Sequence, residues 1–193
     1  AMCPHCGRPL NFLQEAISAL EKLDCEVKRD DDGNILECYL SRQTVTNAAL
    51  IHLEMMPDLE EVYLFESQIT GAGLVHIEGL KNLKVLDLSW TQTTDAGLAH
   101  LKGLTKLEDL RLQNSAITDA GLVHLKGLTS LKKIRLNNSS SDRPWRNQIT
   151  DAGLAHLAGL NLEELDIDRE VATDLGLKHY LAALKPALSD FSI

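Results

Sequence analysis

The sequence has few aromatic residues, few cysteines and no long apolar run. Aromatic side chains make up 4% of the 193 residues, so the core must be aliphatic and mostly leucine. The four cysteines are too sparse for a disulfide framework, which favours a reduced, cytoplasmic setting. No apolar stretch approaches the roughly 20 residues that span a bilayer, and the N-terminus lacks an apolar leader core. Neither a membrane partner nor secretion is therefore expected.

An excess of basic charge is also missing. The formal net charge is −9, whereas a nucleic-acid-binding module normally carries a basic face. The sequence contains no H-E-x-x-H or G-x-S-x-G motif, and no glycine-rich phosphate loop between a strand and a helix. We therefore expect a protein that is not an enzyme and does not bind nucleic acid.

What the sequence does contain is a tandem repeat with a period of 24 residues. The clearest copy, at 92–115, reads QTTDAGLAHLKGLTKLEDLRLQNS, and near copies flank it. A period of 20 to 50 residues indicates a solenoid, in which stacked units share a core that no single unit can form. One leucine column recurs through the copies at Leu40, Leu64, Leu88, Leu112 and Leu136. Cys38 falls in the neighbouring core column, where a free cysteine packs as a small buried hydrophobe.

Each unit predicts a short strand followed by a short helix. The alternation at the end of L-x-x-L-x-L places Leu110 and Leu112 inward and leaves Asp109, Arg111 and Gln113 facing outward. In the TDAGL segment that follows, the threonine can cap the helix and the aspartate lies in its first turn, where the helix dipole favours an anion.

The full repeat, L-x-x-L-x-L-x-x-[ST]-x-[IT]-T-D-A-G-L-x-H-L-x-G-L, resembles the leucine-rich repeat family, in a 24-residue TDAGL variety related to the cysteine-containing and GALA types. The resemblance covers residues 35–193. It implies an α/β fold in which a right-handed, horseshoe-shaped solenoid has a parallel sheet on its concave side and short helices on its convex side. It also implies use as a protein-binding scaffold. The sequence departs from the family at Ser67, Thr91 and Ser115, where many members have asparagine.

The repeat boundaries divide the chain into three predicted regions. Residues 1–10 form a flexible segment that contains a C-x-x-C motif. Residues 11–43 form an N-terminal cap, with a helix and then a hairpin that turns at Asp32-Gly33. Residues 44–193 carry the repeats, with an insertion at 139–146.

Two features allow a metal-binding interpretation beside a simpler one. Cys3 and Cys6 have the spacing of a zinc knuckle but supply two of the four ligands of a structural site, and the alternative is a reduced terminus. Six of the seven histidines recur at one repeat position. They form a metal-binding or pH-sensing stripe, or are simply copied with the repeat. Neighbouring helices about 10 Å apart hold two imidazoles too far apart to share an ion. Zinc is the only cofactor considered, and otherwise none is expected.

The outward strand positions form a candidate protein-binding surface with an aromatic start, a basic centre and an acidic end. Its predicted binding residues are Tyr39, Tyr63, Phe65, Trp90, Asp109, Arg111, Gln113, Lys133, Arg135 and Trp145. Exposed aromatic and arginine side chains are common interface anchors. The alternative is that the charged residues are present only because the solvent-exposed face of any repeat carries polar groups. The leading hypothesis is a scaffold that binds a protein partner through the concave face and the 139–146 loop. That partner is expected to be acidic opposite Arg111 and Arg135.

Two alternatives place the interaction elsewhere. The degraded last repeat, with Leu188, Phe191 and Ile193, predicts a final strand whose free edge would pair two copies into a homodimer. The second alternative is a zinc-dependent assembly through Cys3 and Cys6.

Overall fold

The computed structural model describes residues 10–41, 43–139, 145–168 and 173–184. Three predicted features lie outside these ranges: the cysteines Cys3 and Cys6, the strand predicted to end at Ile193, and residues 140–144 of the insertion.

A seven-stranded sheet runs through the described part of the chain, with the strands in sequence order. The strands are β1 (Glu26–Arg29), β2 (Ile35–Tyr39), β3 (Glu61–Tyr63), β4 (Val85–Asp87), β5 (Asp109–Arg111), β6 (Lys133–Arg135) and β7 (Glu164–Asp166). The pair β1–β2 is the antiparallel hairpin predicted for the cap, and every later pair is parallel. The register matches the repeat period, since Val62 pairs with Leu86 and Leu86 with Leu110.

Short helices connect the parallel strands. The α-helices are α1 (Leu10–Glu21), α2 (Asn47–Leu50), α3 (Asp95–Leu98), α4 (Asp119–Leu122), α5 (Asp151–Leu154) and α6 (Asp174–Ala183). Segments of 3₁₀ helix span Ile51–Met55, Gly71–Ile77, Ala99–Leu101, Val123–Leu125 and Ala155–Leu157. The architecture is the predicted α/β solenoid, with its helix-and-hairpin cap formed by α1, β1 and β2.

The core is a continuous set of aliphatic columns between the sheet and the helices. Leu64, Leu88 and Leu112 are fully buried, as the 24-residue column predicted. Cys38 is also fully buried and lies beside Val62, so its predicted core position is confirmed. In the cap, Ile17 and Leu20 of α1 are buried at helical spacing and join the same core.

A ladder of hydrogen bonds joins successive units on the helix side. Asp95 accepts from the backbone nitrogen of Thr118 at 2.8 Å and from its Oγ1 at 2.6 Å. Asp119 accepts from the same two groups of Thr150 at 2.7 and 2.5 Å. Thr118 also caps α4 by accepting from the nitrogen of Ala120. The aspartates of the TDAGL segment therefore link units, in addition to the dipole effect expected from the sequence.

The ladder changes where Gly71 occupies the position of Asp95 and Asp119. A Cβ atom built on Gly97 would lie 2.5 Å from the Cα atom of Gly71. Because that neighbour is backbone, no side-chain rotation relieves the overlap. Gly71 and Gly97 therefore let two units approach backbone to backbone.

We expect Gly97→Ala to lower the free energy of unfolding by about 1–3 kcal/mol, because its methyl group would overpack this contact. The measurement is urea unfolding followed by circular dichroism. Gly127→Ala is the matched control, since nothing lies within 4 Å of the added Cβ there, and it should change stability by less than about 0.5 kcal/mol. Equal midpoints for the two variants would contradict the close-approach interpretation.

Candidate protein-binding surface

The outward side of β2–β7 is here called the concave face. In β3–β7 it presents the first and third residues of each strand and the residue two positions after the strand, and in β2 it presents Glu37 and Tyr39. Trp90, which follows Ser89, is counted with this face. The middle residues Val62, Leu86, Leu110, Ile134 and Leu165 are buried on the opposite side. Strands about 4.8 Å apart bring equivalent positions of successive units into contact.

A cation–aromatic row, in which two stacked tyrosine rings lie between two cations, covers the start of the concave face. The rings of Tyr39 and Tyr63 stack with centroids 4.5 Å apart and planes inclined by 3°. Lys28 Nζ lies 5.1 Å from the Tyr39 ring centroid, and the Arg111 guanidinium carbon lies 5.8 Å from that of Tyr63. Both tyrosines are thus held in place by neighbours within the chain.

The hydroxyl groups of these tyrosines are engaged by acidic side chains. Tyr39 donates to Glu37 at 2.5 Å, and Tyr63 donates to Glu61 at 2.6 Å. Hydrogen bonds from Lys28 and then Tyr39 hold the pKa of Glu37 below its usual value. Burial and the hydrogen bond to Glu61 raise the pKa of Tyr63. Both phenols therefore remain donors at neutral pH, and their interactions are satisfied without a partner.

Arg111 forms an ionic centre with two nearly buried carboxylates. Its Nη2 lies 2.8 Å from Asp109 Oδ2, and its Nη1 lies 3.7 Å from Asp87 Oδ2. The hydrogen bond to Asp109 raises the pKa of Arg111. Asp87 and Asp109 are 8% and 9% exposed. The Oδ1 atom of Asp109 is buried and has no hydrogen-bond donor among the described residues.

The C-terminal half of the concave face holds a second ionic cluster. Arg135 contacts Glu164 at 2.9 Å and Asp166 at 3.5 Å, and Lys133 contacts Glu164 at 3.4 Å. The hydrogen bond from Arg135 is the main cause that lowers the pKa of Glu164. The basic centre read from the sequence is therefore already paired with carboxylates of the chain itself. This pairing removes the reason for expecting an acidic partner opposite Arg111 and Arg135.

Phe65 and Trp90 form the exposed apolar part of the concave face. Their rings meet edge to face with centroids 6.4 Å apart and planes inclined by 65°. Phe65 is 39% exposed, and Trp90 is partly exposed. Trp90 has φ 62°, in the left-handed region that Asn114 adopts one unit later with φ 49°. A bulky side chain is unfavourable in this conformation, whereas asparagine tolerates it.

The insertion is closed at its base by two asparagines. Asn138 Nδ2 donates to the Asn147 carbonyl oxygen at 3.0 Å, and the Asn147 nitrogen donates to Asn138 Oδ1 at 2.8 Å. Asn138 also donates its backbone hydrogen to Asp168 at 2.7 Å. These bonds hold together the two asparagines that flank the insertion, and the repeat register resumes at Gln148.

Asn147 continues a buried polar column across the insertion. Its amide donates to the carbonyl oxygens of Leu112 at 2.6 Å and Leu136 at 2.9 Å, and accepts from the Ile117 nitrogen at 3.1 Å. In an earlier unit Ser67 makes the equivalent bond to Leu64 at 2.6 Å. The sequence signal for this role is that the repeat resumes at Gln148, which places Asn147 at the position of Ser67.

The two remaining predicted residues, Gln113 and Trp145, differ in their contacts with the concave face. Gln113 joins the centre of the face, because its Oε1 accepts from Ser89 Oγ at 2.7 Å. Trp145 is partly buried, and its Nε1 has no acceptor among the described residues. Within those residues, ring contacts link Phe65 to Trp90 but not Trp145 to either. Trp145 therefore does not join the ring pair of Phe65 and Trp90.

Two histidines of the repeated position contact acidic residues of the preceding units. His76 Nδ1 lies 2.7 Å from Glu54 Oε1, and His100 Nδ1 lies 2.5 Å from Glu78 Oε1. Across the described ranges, no group of three or more His, Cys, Asp or Glu side chains is arranged to hold a metal ion. A membrane-spanning helix is likewise not found among the described residues, whose helices are too short or too polar.

Comparison with known proteins bears on the repeat itself. The family model described as Leucine Rich repeat matches residues 79–101 and 103–125. These two segments coincide with successive units of the register described above. The chain therefore contains leucine-rich repeats. No curated protein matches its sequence.

Several solved structures resemble this leucine-rich repeat protein in part. Internalin C2 of Listeria monocytogenes is 28% identical over 61% of this chain and 46% of its own, with a TM-score of 0.48. Internalin InlF of the same organism is 17% identical over 90% of this chain and 60% of its own, with a TM-score of 0.43. The SOBIR1 receptor kinase ectodomain of Arabidopsis thaliana is 17% identical over 81% of this chain and 92% of its own, with a TM-score of 0.46. The chain spans about half the length of the internalin structures.

We expect Asn147→Ala to lower the free energy of unfolding by roughly 2–4 kcal/mol, because it leaves buried backbone groups of the leucine-rich repeats without partners. Ser67→Ala is the matched control in the same column and should cost about 1 kcal/mol, since it removes one hydrogen bond. Urea titrations with equal slopes would measure both. A smaller loss of unfolding free energy for Asn147→Ala than for Ser67→Ala would show that the Asn147 hydrogen bonds do not stabilise the fold beside the insertion.

We expect Arg111→Met to destabilise the fold by roughly 2–4 kcal/mol, because Asp87 and Asp109 would lose their shared cation while nearly buried. Lys133→Met is the control, because its side chain is 43% exposed and an exposed pair contributes about 1 kcal/mol or less. Thermal and urea unfolding check the difference. Identical stability of the two variants would show that the Arg111 cluster is not a structural support.

Proposed function

We propose that this leucine-rich repeat protein is a non-enzymatic interaction module that binds a protein partner on the start of its concave face. Leucine-rich repeats commonly serve as protein-binding scaffolds, since their curvature creates an extended surface. The observation that supports this location is the concentration of aromatic side chains. The chain has three tyrosines, three phenylalanines and two tryptophans, and Tyr39, Tyr63, Phe65 and Trp90 meet here in two ring pairs.

Phe65 and Trp90 are the anchors in this proposal. The stacked tyrosines are fixed by Lys28 and Arg111 at their ring faces, so they form a rigid platform. Phe65 keeps 39% of its surface exposed beside that platform. Interfaces are dominated by a few such apolar and aromatic anchors, which pack into pockets of the partner.

The backbone at Trp90 supports the same assignment. The repeat imposes a left-handed backbone at this position, since Glu66 and Asn114 adopt φ 58° and 49° there and Trp90 adopts 62°. A bulky tryptophan suits this conformation less well than asparagine does. The proposal explains the indole by its use in binding rather than by the stability of the fold.

The experiment is a comparison of three immobilised proteins in affinity capture from the lysate of the source cells: the native chain, Phe65→Ala with Trp90→Asn, and Val75→Ser with Val123→Ser. The valines are 46% and 41% exposed on the helix side and serve as the matched control. We expect the concave-face variant to lose the partner, with affinity reduced about 30-fold or more in a titration of the purified pair. Its thermal midpoint should stay equal to the native value or rise.

Retention of the partner by the concave-face variant, or its loss from the valine variant alone, would refute the proposed location. Loss of the partner together with a large fall in the thermal midpoint would show that Phe65 and Trp90 act through folding instead.

The remaining hypotheses stay predictions. Homodimerisation through the C-terminal strand and zinc-dependent assembly through Cys3 and Cys6 concern residues outside the described ranges. A cytoplasmic location rests on sequence composition. Binding by the insertion depends on residues of which only Ser139, Trp145 and Arg146 are described.

A further inference from the structure

Two cysteines of the cap lie close enough to react with each other. Cys25 Sγ and Cys38 Sγ are 3.1 Å apart, and both are free thiols. The separation exceeds the length of a disulfide bond by about 1 Å. Cys38 pairs with Val27 across the β1–β2 hairpin, and Cys25, two residues before Val27, lies on the same face of the hairpin because side chains alternate along a strand.

The two thiols differ in exposure and acidity. Cys25 is partly exposed, whereas Cys38 is fully buried. The hydrogen bond from Cys38 is the largest influence that lowers the pKa of Cys25, and a backbone hydrogen bond from Tyr39 acts in the same direction against the opposing effect of burial. The interaction with Cys25 and its own burial raise the pKa of Cys38. Cys25 is thus the thiol that ionises and meets solutes first.

We propose that Cys25 and Cys38 form an oxidisable dithiol, which hydrogen peroxide converts into an intrachain disulfide. The Cys25 thiolate attacks one peroxide oxygen, the O–O bond breaks, and hydroxide leaves, which gives a sulfenic acid at Cys25. The Cys38 sulfur then attacks Cys25 Sγ, the S–O bond breaks, and the thiol proton of Cys38 leaves with the hydroxyl group as water. Both thiols are oxidised, one peroxide is reduced, and two waters form in total. A small-molecule thiol reverses the reaction by exchange.

The bond would join the two strands of the cap hairpin, β1 and β2. It would close the loop between residues 13 apart in sequence, which contains the hairpin turn. Strand β1 also carries Lys28, whose Nζ holds Glu37 at 2.7 Å and the Tyr39 hydroxyl at 3.0 Å. Oxidation would therefore restrict the end of the cation–aromatic row. The inference is independent of the proposed partner.

The test uses the full chain with Cys3→Ser and Cys6→Ser, so that Cys25 and Cys38 are its remaining thiols. The folded protein is treated with hydrogen peroxide, quenched with catalase and alkylated. We expect the intact mass to fall by two hydrogen atoms, with a peptide linking Cys25 to Cys38 under non-reducing conditions. The thermal midpoint should rise by roughly 5–10 °C and return after dithiothreitol. Cys25→Ser in the same background is the control and should show neither change.

Two results would overturn the proposal. One is complete alkylation of both thiols in folded protein treated with peroxide. The other is a linked peptide that forms in urea but not under native conditions. If the linked peptide forms while the thermal midpoint stays unchanged, the oxidisable dithiol is supported, but a stabilising effect of the disulfide on the cap hairpin is refuted.

Discussion

The spacing of parallel strands, about 4.8 Å, is the constraint on which the rest of the structure depends. It places every residue beside its equivalent in the next unit. Each side chain must therefore pack against side chains of the same or a similar type. Leucine meets this condition easily. A polar position meets it only if neighbours in the column complement each other, as Asp95 does with Thr118. On the concave face the same condition sets like charges side by side, as with Arg111 and Arg135, and carboxylates of the chain pair with each of these arginines.

Periodicity explains how much of this molecule the sequence predicts. The strands, the helix positions, the leucine columns and the burial of Cys38 all follow from a repeat of 24 residues. Contacts that depend on side-chain conformation do not follow from it. The repeat pattern predicts that Asp109 and Arg111 both face outward, but it does not predict that they form an ion pair with each other along the strand. Asn147 occupies the same column as Ser67, but the 24-residue period does not predict it, because the insertion changes its spacing in the sequence.

The concave face combines positions that support the fold with positions that do not. Arg111 and Tyr63 are outward in the repeat pattern, but their contacts lie within the chain. Outward position in a strand is therefore a weak guide to availability for a partner. The exposed fraction of an apolar side chain is a better guide to availability, and it is 39% for Phe65. A side chain that suits its backbone conformation poorly is a second guide, as Trp90 is when compared with Asn114 of the next unit.

The Gly71–Gly97 contact has a consequence for how order spreads along the solenoid. In a quasi-one-dimensional array, cooperativity depends on the coupling between neighbouring units. Next to it a carboxylate bridges the helix sides of units, but at Gly71 close fit takes the place of that side-chain hydrogen bond. Coupling of this kind is steeply sensitive to distance, because dispersion falls off within an ångström of separation. A slight dilation at this seam would weaken the coupling on the helix side, while the sheet pairing of β4 with β5 would still hold the two units together.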